Sequence, residues 1–166
     1  RGLEGLAMSR DGKRLLAMLE GSIADDPPDE LRLFEFDLAS QHFTGRHWRY
    51  RTDEPGLSVG EIARAGDTGL LAIERDSLQG DAARLKKIFT FAEPDDSTAP
   101  GSLLPKAPLA DLLAIQDPRH LGGSEPVFRY PWLTIESVQA LDACTLLVVN
   151  DNNYPATGGR GANLRD

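Results

Sequence analysis

The sequence predicts an all-β fold, because three similar stretches of the chain each contain two short apolar strands joined by a polar turn. The stretches are EGLAMSRDGKRLLAMLEGS at 4–22, GEIARAGDTGLLAIERD at 60–76 and IESVQALDACTLLVVNDNN at 135–153. Repeats of this kind indicate that one structural unit recurs along the chain. No segment of about 10 residues or more has the 3.6-residue apolar period of a helix, which argues against crossover helices. Together these observations predict a β-propeller fragment of antiparallel four-stranded blades, with about two blades and part of a third.

The first predicted blade covers about 3–51. Its strands are predicted over 3–9, 14–19, 31–38 and 42–51, and an Asp-Gly turn joins the first two. The second blade covers about 57–110, with strands at 59–65, 70–74 and 84–91 and a fourth near 103–109. Residues 109–115 fit either a short helical turn or an irregular connection. The Pro- and Gly-containing segment 116–131 is predicted to be a linker.

The third predicted unit covers about 132–166, with strands at 134–140 and 145–149. We interpret 1–166 as one partial propeller domain and expect the chain to be a fragment of it. An open fragment of this kind would expose strand edges and the apolar faces of its terminal blades.

Composition and charge narrow the function classes. The chain has 166 residues, 40% of them hydrophobic and 27% charged, which is typical of a folded protein. A net charge of −8 argues against a nucleic-acid partner and is compatible with cation binding. No apolar run approaches the roughly 20 residues needed to span a bilayer.

Acidic residues recur at matching places in the three repeats. Glu4, Glu61 and Glu136 begin first strands, while a polar residue ends each second strand; those residues are Glu20, Glu74 and Asn150. An antiparallel return brings both sets to one rim of the propeller channel. Carboxylates that converge must be neutralised by protonation, by basic partners or by a metal.

Oxygen ligands of this type suit a divalent cation, with Ca²⁺ favoured over zinc. The predicted metal ligands are Glu4, Glu20, Glu61, Glu74, Asp76, Glu136, Asn150 and Asp151. Ion pairing of the glutamates with Arg75, Lys86 or Arg160, or capping of backbone amides between blades, remains the alternative. The run from Asn150 to Tyr154 fits either cation ligation or Asx-turns, and turns are the commoner outcome.

Basic residues near the same rim predict phosphate binding. Arg75, Arg84 and Lys86 follow or flank the second strand of the second repeat, beside Asp76. A guanidinium group presents a planar fork of donors that matches phosphate oxygens. The alternative is a strand with a solvated basic face. The chain contains no GxSxG, CxxC or HExxH motif, so an acyl-enzyme mechanism is disfavoured.

Several motifs resemble the phytase-like proteins, a family described as "esterase-like activity of phytase". They are EGLA at 4–7, TGR and WRYR within 44–51, GE at 60–61, IERD, QGD and KKI within 73–88, TIESV at 134–138 and VVNDNNYP at 148–155. The matching positions are Glu4, Glu20, Glu61, Glu74, Arg75, Asp76, Glu136, Asn150, Asp151 and Asn152. The resemblance implies a β-propeller from an exported bacterial protein, periplasmic or secreted, that acts on phosphate esters.

We therefore expect a phosphate-ester hydrolase for a small phosphorylated substrate. Glu61, Glu136 and Arg75 are the predicted catalytic residues, Arg75, Arg84 and Lys86 bind the substrate, and a cation-bound water attacks the phosphate. The alternative is a non-catalytic propeller that binds a ligand or partner and uses a structural cation. An esterase acting on carboxylic esters ranks last, because no nucleophile is visible.

Overall fold

The structure, a computed structural model, describes residues 2–67 and 69–151 and confirms the all-β prediction. Strands β1 (Leu3–Met8), β2 (Arg14–Leu19), β3 (Glu30–Asp37) and β4 (His42–Arg51) form one antiparallel sheet in sequence order, called blade 1. Strands β5 (Ser58–Ala65), β6 (Gly69–Arg75), β7 (Lys86–Ala92) and β8 (Lys106–Asp111) form a second such sheet, blade 2.

A third pair, β11 (Ile135–Ala140) and β12 (Leu146–Asn150), forms a hairpin called blade 3, and the short strands β9 (Ile115–Gln116) and β10 (Val127–Phe128) pair with each other. The only helical turn in the described part is a 3₁₀ turn at Gly80–Ala82. No helix among these residues is long and apolar enough to cross a membrane.

The hairpins form where polar turns interrupt apolar strands. In the first hairpin, Gly12 adopts φ 68°, a conformation that costs glycine little, and Asp11 accepts hydrogen bonds from Ser9 and from the backbone of Lys13. In β1 the buried residues Gly5 and Ala7 alternate with exposed ones, whereas β2 buries Leu16, Ala17 and Met18 in succession and is therefore covered on both faces.

Blades 1 and 2 pack face to face. Met18, Leu33 and Trp48 from blade 1 and Ile62 and Leu70 from blade 2 are at most 1% exposed and share one hydrophobic cluster. This burial of apolar side chains supplies most of the stabilisation between the sheets.

The opposite face of blade 2 packs on blade 3. There Leu71, Ile73 and Ile88 form a second cluster with Ile135 and Val138. Successive four-stranded antiparallel sheets stacked face to face, with blade 2 covered on both sides, are the arrangement of a β-propeller fragment.

The structure corrects two boundaries of the sequence prediction. The fourth strand of blade 2 is Lys106–Asp111 instead of 103–109, so residues predicted as a helical turn or connection begin as strand. The predicted linker 116–131 contains β10, which pairs with β9, and Tyr130 N donates to Leu112 O at 2.7 Å. The three prolines and two glycines of this segment favoured a linker, so the short pairing was not predicted. The part of the third unit from 152 onward lies outside the described residues.

The strands β1, β5 and β11 lie side by side, and each contains the same irregularity. Pairing with the second strand is interrupted after Leu3↔Leu19 in blade 1, after Val59↔Glu74 in blade 2 and after Ile135↔Asn150 in blade 3. A β-bulge of this kind re-aims the residue that it contains. The bulge residues are Glu4, Gly60 and Glu136.

Candidate functional site

The three bulges define which residues are structurally equivalent at one end of the sheets. Glu4, Gly60 and Glu136 occupy one position. On the second strand of each blade, one residue follows the partner of the strand residue that precedes the bulge. This residue is Glu20 in blade 1, Arg75 in blade 2 and Asp151 in blade 3. We call Glu4, Glu20, Arg75, Glu136 and Asp151 the rim cluster. Blade 2 differs from its neighbours because both of its positions lack a carboxylate.

Arg75 is the basic member of the rim cluster and is 8% exposed. Its Nη2 lies 2.9 Å from Glu136 Oε1 of blade 3 and 3.9 Å from Glu20 Oε1 of blade 1. Its Nε is buried and has no hydrogen-bond partner among the described residues. An unsatisfied buried donor costs about 1–3 kcal/mol, so an acceptor that reached this nitrogen would stabilise the side chain.

Gly60 makes room for the Arg75 side chain. A Cβ at this position would lie 3.1 Å from Arg75 Nε and 2.5 Å from the backbone oxygen of Ile135. Blades 2 and 3 therefore approach each other so closely at the bulge that no side chain fits. The glycine lets the guanidinium group reach Glu136 across the junction.

Glu136 has an altered acidity. Burial raises the pKa of Glu136, the charge of Arg75 opposes that rise, and repulsion from Asp151, Glu4 and Glu20 adds to it. The net result is a pKa above the ordinary value for a glutamate. Groups with perturbed pKa values in a confined cluster are candidates for proton transfer.

The repeat pattern suggested that Glu61 is equivalent to Glu4 and Glu136. In the structure it is not. It lies one residue beyond the bulge, and its Oε1 accepts hydrogen bonds from Leu6 N at 3.4 Å and Ile62 N at 3.0 Å. Partial burial raises the pKa of Glu61 and outweighs these two backbone donors. Its carboxylate lines a groove of about 350 Å³ formed by β1, β5, β11 and β12.

Glu74 is separate from the rim cluster, because it points to the opposite face of β6 from Arg75. It is fully buried, accepts hydrogen bonds from Tyr50 Oη at 2.6 Å and from Asp53 N at 3.0 Å, and pairs with Lys106. The Lys106 ammonium also lies 3.8 Å from the centre of the Phe89 ring. The predicted metal ligand Glu74 is therefore part of an ion-paired network between blades 1 and 2.

Asp76 and Lys86 form a second closed network. Lys86 is fully buried, and its Nζ lies 2.8 Å from Asp76 Oδ1. The other oxygen of Asp76 accepts from the backbone amides of Arg84 at 2.7 Å and Leu85 at 3.0 Å. Burial alone would raise the pKa of Asp76, but Lys86 and the amides outweigh it and hold that pKa below its ordinary value.

The predicted substrate-binding residues are therefore not brought together. The exposed Arg84 meets Asp76 through its backbone amide, and the ammonium of Lys86 is occupied by the same carboxylate. Of the three, Arg75 is the one that lies in the rim cluster.

The end of β12 lies at the same end of the sheets as the bulge of β11. Asn150 Oδ1 accepts from Tyr130 Oη at 2.5 Å, and the backbone of Asp151 pairs with Thr134 through Asp151 N. Asp151 lines a hollow of about 290 Å³ together with Glu136. Across residues 2–67 and 69–151, no group of three or more His, Cys, Asp or Glu side chains is arranged to hold a metal ion. Asn152, another position that matches the family motifs, lies outside the described residues.

Comparison with known proteins identifies the family. The sequence model of the phytase-like family, described as "esterase-like activity of phytase", matches residues 1–154. The chain belongs to the phytase-like family. This confirms the resemblance stated from the motifs and supports a hydrolase of phytase-like or esterase-like type at the level of the family. No curated protein and no solved structure matches the chain.

Two features of this phytase-like chain were not predicted from its sequence. The position of Gly60 was hidden because Glu61, one residue later, completed an apparent acidic repeat. The bulge that shifts Glu61 out of register has no signature in a single sequence. Lys106, the partner of Glu74, lies 32 residues away on a strand whose bounds were misplaced.

Proposed function

We propose that the chain is part of a phosphoric-ester hydrolase whose reaction centre is the rim cluster. One observation carries the proposal: the buried Nε of Arg75 lacks an acceptor, while the same guanidinium contacts Glu136, a carboxyl group with a raised pKa. A planar donor fork beside a proton-transfer group is suited to binding a phosphate and assisting its hydrolysis.

In the proposed reaction, Arg75 binds two phosphate oxygens and Glu136 moves a proton. Glu136 as the carboxylate accepts a proton from water as the water oxygen attacks phosphorus. The bond between phosphorus and the ester oxygen breaks, and the alcohol leaves with the proton that Glu136 returns. Because Arg75 is paired with Glu136 in the structure, phosphate would compete with that carboxylate for the guanidinium.

A divalent cation, with Ca²⁺ favoured, belongs to the same proposal. The excess of carboxylates at the rim supports attraction of a cation. The carboxylates of the described residues do not form a ready-made site for one, and the proton transfer proposed above uses only protein groups. A small phosphorylated substrate and a periplasmic or secreted location, which the family resemblance implies, are proposed with it.

The second candidate function is a non-catalytic binding propeller. The observation that favours it is the 2.9 Å ion pair between Arg75 and Glu136, which joins blade 2 to blade 3 and already satisfies part of the guanidinium. On this view the rim cluster holds the blades together, and the protein binds a ligand or partner without catalysing a reaction.

The test measures phosphate release from phytate and from a simple aryl phosphate by the full-length protein, with Ca²⁺ and with a chelator. The variants are Arg75→Lys and Glu136→Gln. Arg64→Lys is the matched control, because Arg64 also bridges blades, contacting Met8 O of blade 1 at 2.7 Å and Glu93 at 2.5 Å. It lies near the far end of β5, roughly 13 Å along the strand from Gly60.

We expect Arg75→Lys and Glu136→Gln each to lower kcat/KM at least about 100-fold, the scale of one lost transition-state interaction, while Arg64→Lys retains activity. Release that also requires Ca²⁺ would support the cation. Wild-type turnover in both rim variants would refute the assignment of the site. No release under any condition, with a folded protein, would favour the binding propeller.

A further inference from the structure

The charges of the rim cluster restrict which phosphate ester can reach Arg75. Glu136 and Glu20 lie 2.9 and 3.9 Å from its guanidinium group, and the charges of Glu4 and Asp151 act on Glu136. The four acidic members and one basic member have a formal net charge of −3 when all are ionised. Two of the carboxylates come from blade 1 and two from blade 3. This arrangement flanks Arg75 with acids on both sides.

A phosphate monoester adds a further one to two negative charges to this cluster. Two like charges 4 Å apart repel by about 1 kcal/mol in water and by about 4 kcal/mol at the lower effective dielectric constant near a protein surface. Arg75 can offset this repulsion for a single phosphate. A ligand with several phosphates meets the same carboxylates with every additional group.

Two of the carboxylates are placed to bind a positive charge on the ligand. Glu20 is half-buried and lies 3.9 Å from Arg75, while Glu4 is exposed and makes no hydrogen bond or ion pair with any described residue. Both come from the hairpin of blade 1, on the side of Arg75 opposite Glu136. A ligand whose phosphate contacts Arg75 would therefore direct its other end towards Glu4 and Glu20.

We propose that the rim cluster takes a phosphate ester whose alcohol carries an ammonium group, with the phosphate on Arg75 and the ammonium on Glu4 and Glu20. The ligand then supplies the positive charge that the cluster needs. This inference rests on the proposed function, since it names the substrate class of the same site.

The first experiment measures binding of 2-aminoethyl phosphate and of propyl phosphate to the full-length protein by calorimetry, in the presence of a chelator. The two esters have nearly the same size and differ in the terminal ammonium. We expect 2-aminoethyl phosphate to bind about tenfold more tightly, equivalent to ~1.4 kcal/mol. Phytate is expected to bind more weakly than either ester.

The discriminating variant is Glu4→Gln/Glu20→Gln, which removes the two carboxylates without changing side-chain size. The ratio of the two affinities should fall to about one. Asp67→Asn/Asp96→Asn is the matched control, because it changes the net charge equally in the turns at the other end of the blades, and Asp96 is 89% exposed. The control should keep the tenfold ratio.

Equal affinity of the wild-type protein for both esters would overturn the inference. So would a preference for the ammonium ester that survives in Glu4→Gln/Glu20→Gln, because the two carboxylates would then not hold the ammonium. With Ca²⁺ in place of the chelator the preference should shrink, because the proposed cation would occupy the same carboxylates. Tighter binding of 2-aminoethyl phosphate without hydrolysis of any ester would support the inference and refute the hydrolase. Hydrolysis of both esters at equal kcat/KM would refute the inference and support the hydrolase.

Discussion

Replacement of Gly60 by alanine tests the geometry on which the rim cluster depends. The new Cβ would lie 2.5 Å from Ile135 O, whereas carbon and oxygen atoms in favourable contact are about 3.3–3.6 Å apart. Blade 3 must therefore move by about 1 Å relative to blade 2. Overpacking of this kind costs about 1–3 kcal/mol of the free energy of unfolding.

The same displacement should break the ion pair. Glu136 follows Ile135 directly, so a shift of about 1 Å would lengthen the 2.9 Å contact with Arg75 Nη2 beyond the roughly 3.2 Å limit of a good hydrogen bond. The Cβ would also crowd Arg75 Nε, which lies 3.1 Å away. We expect kcat/KM for an aryl phosphate to fall at least about tenfold, equivalent to 1.4 kcal/mol of transition-state stabilisation.

Gly5→Ala is the matched control for this substitution. Its Cβ would lie 2.8 Å from Ile62 N at the junction of blades 1 and 2, so the loss of stability should be of the same order. Arg75 and Glu136 are not displaced directly. Urea unfolding and steady-state kinetics would be measured for both variants. If Gly60→Ala were as stable and as active as the wild type, the close approach of the blades described here would be refuted.

Two further predictions concern the other carboxylates. Because partial burial raises the pKa of Glu61, the folded protein binds a proton more tightly than the unfolded chain, so the free energy of unfolding falls as pH rises from about 4.3, the ordinary value for glutamate, to the folded-state pKa. The melting temperature of Glu61→Gln relative to the wild type should rise across this window, and a difference independent of pH would contradict the assignment. Glu74→Gln should cost about 1–3 kcal/mol in urea unfolding, because Lys106 loses its buried partner but keeps the ion pair with Asp53 at 3.0 Å, whereas Asp96→Asn, at an exposed ion pair, should cost less than about 1 kcal/mol. Equal losses in these two variants would show that the buried ion pair of Glu74 and Lys106 contributes no more than an exposed one.

The sequence predicts the sheets of this protein better than it predicts the site. Alternation and turn chemistry are local, so β1, β2 and β4 could be located to within a residue. The partner of each carboxylate depends on contacts between residues far apart in the sequence, which a local sequence pattern does not predict. Glu74 and Arg75 are neighbours in sequence, yet the pleat of β6 sends one to Lys106 and the other to Glu136.

The site arises where blade 2 departs from the pattern of its neighbours. Blades 1 and 3 each place two carboxylates at the equivalent rim positions, and a third such pair would add repulsion at the junctions. Blade 2 instead combines a glycine at the bulge with an arginine opposite it. The glycine provides the space and the arginine provides the charge, so neither substitution alone would build the arrangement. Arg75 consequently receives carboxylates from both adjacent blades, and its buried Nε has no acceptor among the described residues.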